Sequence, residues 1–95
     1  MPDFSTDHLR KIIEAMHGGN ASFVKSVPIY ESERGRMLWN GVVQVYDLAE
    51  SPSGAKRAYA WSVGLPDGQR QSFALLHDGK VTDPRKAIRA ALRAD

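Results

Sequence analysis

One stretch constrains the fold more than any other: Met37-Leu38-Trp39-Asn40-Gly41-Val42-Val43-Gln44-Val45-Tyr46-Asp47-Leu48. It is the longest run of strong strand character in the chain and holds one of its two tryptophans. Successive side chains of a strand point to opposite faces. The odd positions, Met37, Trp39, Gly41, Val43 and Val45, are the more apolar set. The even positions, Leu38, Asn40, Val42, Gln44, Tyr46 and Leu48, are still too apolar for a fully wet face, so both faces are expected to be partly covered. A second strand, residues 56–64, sharpens the contrast. Tyr59, Trp61 and Val63 lie on one side and Ala58, Ala60 and Ser62 on the other. Small residues let a helix approach closely, so the helices are expected over the alanines. The face bearing Trp39, Tyr59 and Trp61 would then be open in a monomer.

The rest of the chain fits around these two strands. Residues 6–17 read as a helix with Ser5 or Thr6 as N-cap, Asp7 in the first turn, and a stripe of Leu9, Ile12, Ile13 and Met16. Gly18-Gly19-Asn20 ends it. Residues 22–32 form a strand that Pro28 places at an edge or bends, and Glu31–Arg36 suits a hairpin loop. A loop over 50–55, a Pro66-Asp67-Gly68 turn, a strand over 70–77 and a turn over 77–80 follow. Asp83-Pro84 opens the last helix, whose apolar stripe is Ala87, Ile88, Ala91 and Leu92. The expectation is a single α+β domain over residues 1–95. Its order is α-β-β-β-β-α: a four-stranded antiparallel meander with the N-terminal and C-terminal helices on one face.

Composition excludes several classes of function. With 95 residues the chain makes one small domain of modest stability, which oligomerisation would raise. It has no cysteine, so disulfides, thiol catalysis, cysteine–zinc sites and iron–sulfur clusters are out. No stretch approaches the roughly 20 apolar residues of a membrane span, and residues 1–7 do not resemble a signal peptide. A cytoplasmic protein with no membrane association is expected. The net charge of +2 is small and makes no case for nucleic acid unless the cations cluster.

Trp39-x-Gly41-x-Val43-x-Val45-Tyr46-Asp47-Leu48, followed by Arg57-Ala58-Tyr59-Ala60-Trp61, resembles a family of short bacterial proteins of unassigned function. That family carries a W-x-G-x-V-x-V-F-D-L strand, a loop, a YAW strand and an alanine-rich C-terminal helix. The resemblance spans about residues 27–92 and is tightest in the two aromatic strands. Glu50-Ser51-Pro52 stands where the family tends to show Gly-His-Pro. The resemblance implies no activity, cofactor or partner. The topology, and the basic opening of the last helix, also resemble a double-stranded-RNA-binding domain. Such domains grip phosphates with lysines at that position. Here only Arg85 and Lys86 match, beside an Asp83 of the wrong sign, and there is one strand too many.

Three groups of side chains are candidate sites. Arg85, Lys86, Arg89 and Arg93 form a basic stripe on the last helix, which is either a phosphate-binding face or a solvated one favoured by the helix dipole. Trp39, Tyr59 and Trp61 are either core, an association face, or a platform for stacking bases. His8, His17 and His77 make no metal pattern, and His8 and His17 fall on opposite sides of the first helix. Among the carboxylates only Asp47 is embedded in a strand beside aromatics, and no catalytic arrangement or phosphate cradle stands out. No metal, cofactor or enzymatic role is therefore expected. The reading that results is a non-enzymatic interaction module forming a homodimer through its aromatic sheet face. The alternative is an RNA-binding module using the basic stripe.

Overall fold

A computed structural model of the protein describes residues 6–64 and 66–93, with only the backbone of Arg93. The elements are α1 (Thr6–His17), β1 (Asn20–Glu33), β2 (Arg36–Ala49), β3 (Arg57–Gly64), β4 (Arg70–Leu76) and α2 (Pro84–Arg93). The strands form one antiparallel sheet in the order β1-β2-β3-β4. Class, element order and meander agree with the sequence reading. Ser5, the alternative N-cap, lies outside the described residues.

The helices do not share a face, which corrects the expected arrangement. Leu9 and Ile13 of α1 pack on Ala21, Tyr46, Leu48, Ala58, Ala60 and Ala74. Ala87 and Ile88 of α2 pack on Val43, Val45, Tyr59 and Trp61, the opposite side of the same strands. The physical reason is volume. The alanine floor accepts a helix that brings long branched side chains. An alanine-lined helix such as α2 needs a floor that is itself bulky, and the aromatics supply it. The stripes narrow accordingly: Met16 at the end of α1 and Leu92 at the end of α2 stay exposed.

Each helix is fixed at its ends. Asp83 caps α2, its Oδ1 accepting from the Lys86 N–H at 2.8 Å. The crossing from β4 to the far side of the sheet is a tight turn. In it Asp78 Oδ1 accepts from the N–H groups of Lys80 (2.7 Å) and Val81 (2.8 Å), and Val81 is buried. Those backbone donors hold the Asp78 carboxyl below the usual carboxylate range. At the end of α1, Glu14 Oε2 accepts from the Ala21 N–H at 2.8 Å, joining the helix to the start of β1. The turn between them passes so close to β2 that a Cβ on Gly19 would lie 2.4 Å from the Ala49 carbonyl oxygen. With φ at +79° there as well, glycine is required.

The β1–β2 hairpin is longer than the rest of the sheet. Its two strands pair from Asn20/Ala49 to Glu33/Arg36, across a bulge at Val24 and a second at Leu38. β2 pairs with β3 only from Gln44 to Asp47, whereas β3 and β4 pair on to Gly64/Arg70. Beyond Gln44 and Ala60 the two hairpins go separate ways, and the outer half of β1–β2 is an arm. Its turn is Arg34-Gly35, both with positive φ, the type whose twist suits a two-residue hairpin.

Tyr46 bridges sheet and helix, its hydroxyl donating to the Thr6 carbonyl. Burial pushes its pKa up to about 12 from the ordinary 10, and burial also raises that of Tyr59. A raised folded-state pKa means that this stabilisation is complete below the unfolded value near 10 and is lost as pH rises through the folded value. Denaturant midpoints should therefore fall between about pH 10 and 12, and fall less in Tyr46→Phe. At neutral pH that variant should lose about 1 kcal/mol, the worth of one hydrogen bond, in urea unfolding followed by circular dichroism.

Candidate functional site

The aromatic trio is split by the structure. Tyr59 and Trp61 are 1% and 2% exposed, sealed beneath α2, so they are core and not an open face. Only Trp39 is half-buried, at the root of the arm. Its ring meets Trp61 edge-on with centroids 6.4 Å apart, and Trp61 in turn stacks on Phe73 at 5.4 Å. The glycine two residues on explains how Trp39 lies: a Cβ at Gly41 would be 2.8 Å from the Trp39 ring, so its absence lets the indole lie down along its own strand. Together Trp39, Trp61, Val63, Phe73, Ile88 and Leu92 line an apolar recess of about 360 Å³ where the two hairpins part.

The basic stripe is divided too. Arg85 and Arg89 both donate to the Glu31 carboxylate, and Arg85 also reaches the Tyr30 carbonyl at 3.0 Å. Lys86 points away and donates to Thr82 Oγ1 at 3.0 Å. The Arg93 side chain lies outside the described residues. Two of the four cations proposed to grip phosphate are thus engaged in holding α2 to β1. Glu31 was expected in the hairpin loop. It lies instead in paired strand, 7% exposed, on the face that α2 covers. The spacing of Arg85 and Arg89, one turn apart, was the available signal that one carboxylate could serve both.

The hydrogen bond from Arg89, more than that from Arg85, holds the Glu31 carboxyl below the usual carboxylate range against the opposing effect of burial. A lowered folded-state pKa means that the clamp's stabilisation is present above the unfolded value of about 4.5 and disappears as pH falls through the folded value. Glu31→Gln should lower the melting temperature at neutral pH and flatten the acid side of the stability profile. Equal acid profiles for the two proteins would show that the clamp does not hold α2.

The histidines serve separate structural contacts. His17 Nε2 lies 3.0 Å from the Ala74 carbonyl oxygen, and His77 Nδ1 lies 2.7 Å from the Tyr59 hydroxyl. No group of three or more His, Asp or Glu residues that could hold a metal occurs among the described residues. Asp47 faces Arg57 across the strands at 3.4 Å, beside His77, in a hollow open to solvent.

The remaining candidate surface is the arm. Tyr30, Met37, Leu38 and Val42 are each between 44 and 56% exposed. Tyr30 and Val42 share the α1 side of the sheet with Pro28 and Phe23, beyond the end of that helix's cover. The sequence reading did not single these out, because a period-two pattern says which residues share a face and not where a helix stops covering it. Gly41→Val should force the Trp39 ring off its strand, costing about 1–3 kcal/mol by overpacking and shifting tryptophan emission to the red.

Comparison of the chain with protein-family models, with curated protein sequences and with solved structures returned no match.

Proposed function

We propose that the protein is a cytoplasmic, non-enzymatic interaction module that associates with a second copy of itself through the β1–β2 arm. The observation that carries this reading is the set of exposed large apolar side chains on the arm: Tyr30 and Val42 beyond the cover of α1, Met37 near the tip, and Leu38 on the other side beside Arg89 and Leu92 of α2. Grouped exposed apolar side chains mark contact surfaces more often than singly scattered ones do. A two-fold pair is the commonest assembly that buries such a group on both copies at once. Trp39 remains part of the surface as the half-buried root of the arm, while Tyr59 and Trp61 support it from below. The one hollow near Asp47 and His77 is too open to shield a reaction from water. No helix among the described residues is long and apolar enough to cross a membrane.

Sedimentation equilibrium should show a dimer at micromolar concentration. Tyr30→Ser with Val42→Ser should raise the dissociation constant about tenfold or more, equivalent to about 1.4 kcal/mol, with an unchanged circular dichroism spectrum. A wild-type chain that stays monomeric at high micromolar concentration overturns the reading. If that monomer bound duplex RNA with a steep salt dependence, the alternative use of α2 would be favoured instead.

A further inference from the structure

The surplus charge of the chain gathers at one place. Arg85 and Arg89 of α2 share the single carboxylate of Glu31, which leaves one positive charge over. Arg34 and Arg36 flank Gly35 in the arm's turn with Glu33 beside them, which leaves another. The chain has 13 lysines and arginines against 11 aspartates and glutamates, so these four arginines and two glutamates carry its whole net charge of +2. Elsewhere the two signs balance, with nine of each.

The four arginines adjoin one cleft. It has a volume of about 360 Å³ and is lined by Glu31, Ser32, Glu33 and Leu38 of the arm and by Arg89 and Leu92 of α2. Glu33 and Leu38 also line the neighbouring hollow that holds Arg34 and Arg36. Leu38 and Leu92, which come from different elements, are 44 and 40% exposed. Arg89 meets Glu31 through Nε, one of the five N–H donors it carries, and half of its side chain stays exposed.

We propose that this cleft docks an acidic peptide segment of another protein, one in which carboxylates flank a large apolar side chain. The apolar side chain enters between Leu38 and Leu92. The carboxylates meet Arg34 and Arg36 on one lip and Arg89 on the other, where the planar guanidinium fork suits them. Charge complementarity sets the sign of the partner. The two leucines set its class. A nucleic-acid backbone would answer the arginines but bring phosphates and sugars against apolar walls. A lipid surface takes up apolar groups that protrude, and these line a hollow. The cleft lies on the opposite side of the arm from Tyr30 and Val42, so this contact neither rests on self-association nor competes with it.

Fluorescence anisotropy tests this, with the full chain titrated into a labelled peptide in which glutamates flank a leucine. Binding should be saturable and should weaken as ionic strength rises. Arg34→Glu with Arg36→Glu should raise the dissociation constant about tenfold or more, and Leu38→Ser about fivefold, each with an unchanged circular dichroism spectrum. Replacing the peptide's glutamates by lysine should abolish binding, and replacing its leucine by serine should weaken it about fivefold. No saturable binding by the wild type overturns the proposal. So does equal binding of the leucine and serine peptides, or unaltered binding by the folded charge-reversal variant. Duplex RNA or anionic vesicles bound in place of the peptide overturn it as well. Tyr30→Ser with Val42→Ser should bind the peptide as the wild type does, and loss of binding there would set the peptide on the other side of the arm and overturn the cleft. A monomeric wild type that binds the peptide leaves this proposal standing and overturns only self-association. If the charge-reversal variant fails to fold, the peptide comparisons on the wild type decide.

Discussion

The alternation of small and large side chains along β3 governs the architecture. Ala58 and Ala60 face one way, Tyr59 and Trp61 the other, and each pair fixes what kind of helix can lie on it. α1 brings leucine and isoleucine to the shallow side, and α2 brings alanines to the deep side. Close packing admits no other assignment without a void under one helix and a clash under the other. The turn at Asp78, which carries the chain around the edge of the sheet, follows from that requirement. So does the clamp that Arg85 and Arg89 place on Glu31, since a helix with so short an apolar stripe has little else to fix its angle.

Much of this was legible in the sequence. Periodicity and caps located all six elements, because local rules set where a helix begins at Asp83-Pro84 or ends at Gly18. The side on which α2 lies was not found, although its signal was present. That signal is the small size of the alanines in the apolar stripe of α2, set against the bulk of Tyr59 and Trp61. Glu31 was missed for a different reason. A charged residue near Gly35 looks like loop, and only a tertiary contact with a helix more than fifty residues away turns it inward. The candidate site moved for the same cause: once α2 covers the aromatics, the exposed apolar surface is what neither helix reaches.

The arm therefore has two properties that arise separately. Its side chains are exposed because the helices are short, and its backbone edge is free because β3 leaves β2 after Ala60. Both converge on the strand around Trp39-x-Gly41, where the missing Cβ at 41 lets the indole lie along its own strand and reach Trp61 of β3. Charge plays a smaller part than a pI near 9.2 would suggest, because Arg85 and Arg89 on α2 are both tied to Glu31, which offsets one of their two charges, and Arg10 on α1 pairs with Asp7 and Glu14.

The division of one strand between two half-cores also protects the alignment of the sheet. Sliding β3 by a single residue would keep its hydrogen bonds but exchange its faces. Trp61 would be driven under α1 and alanine would be left under α2, so both layers would fail in the same step. A sheet with a helix on only one side can hide such an error on its wet face. Here the error has no face on which to hide, and a small domain obtains a single defined alignment without a disulfide to enforce it.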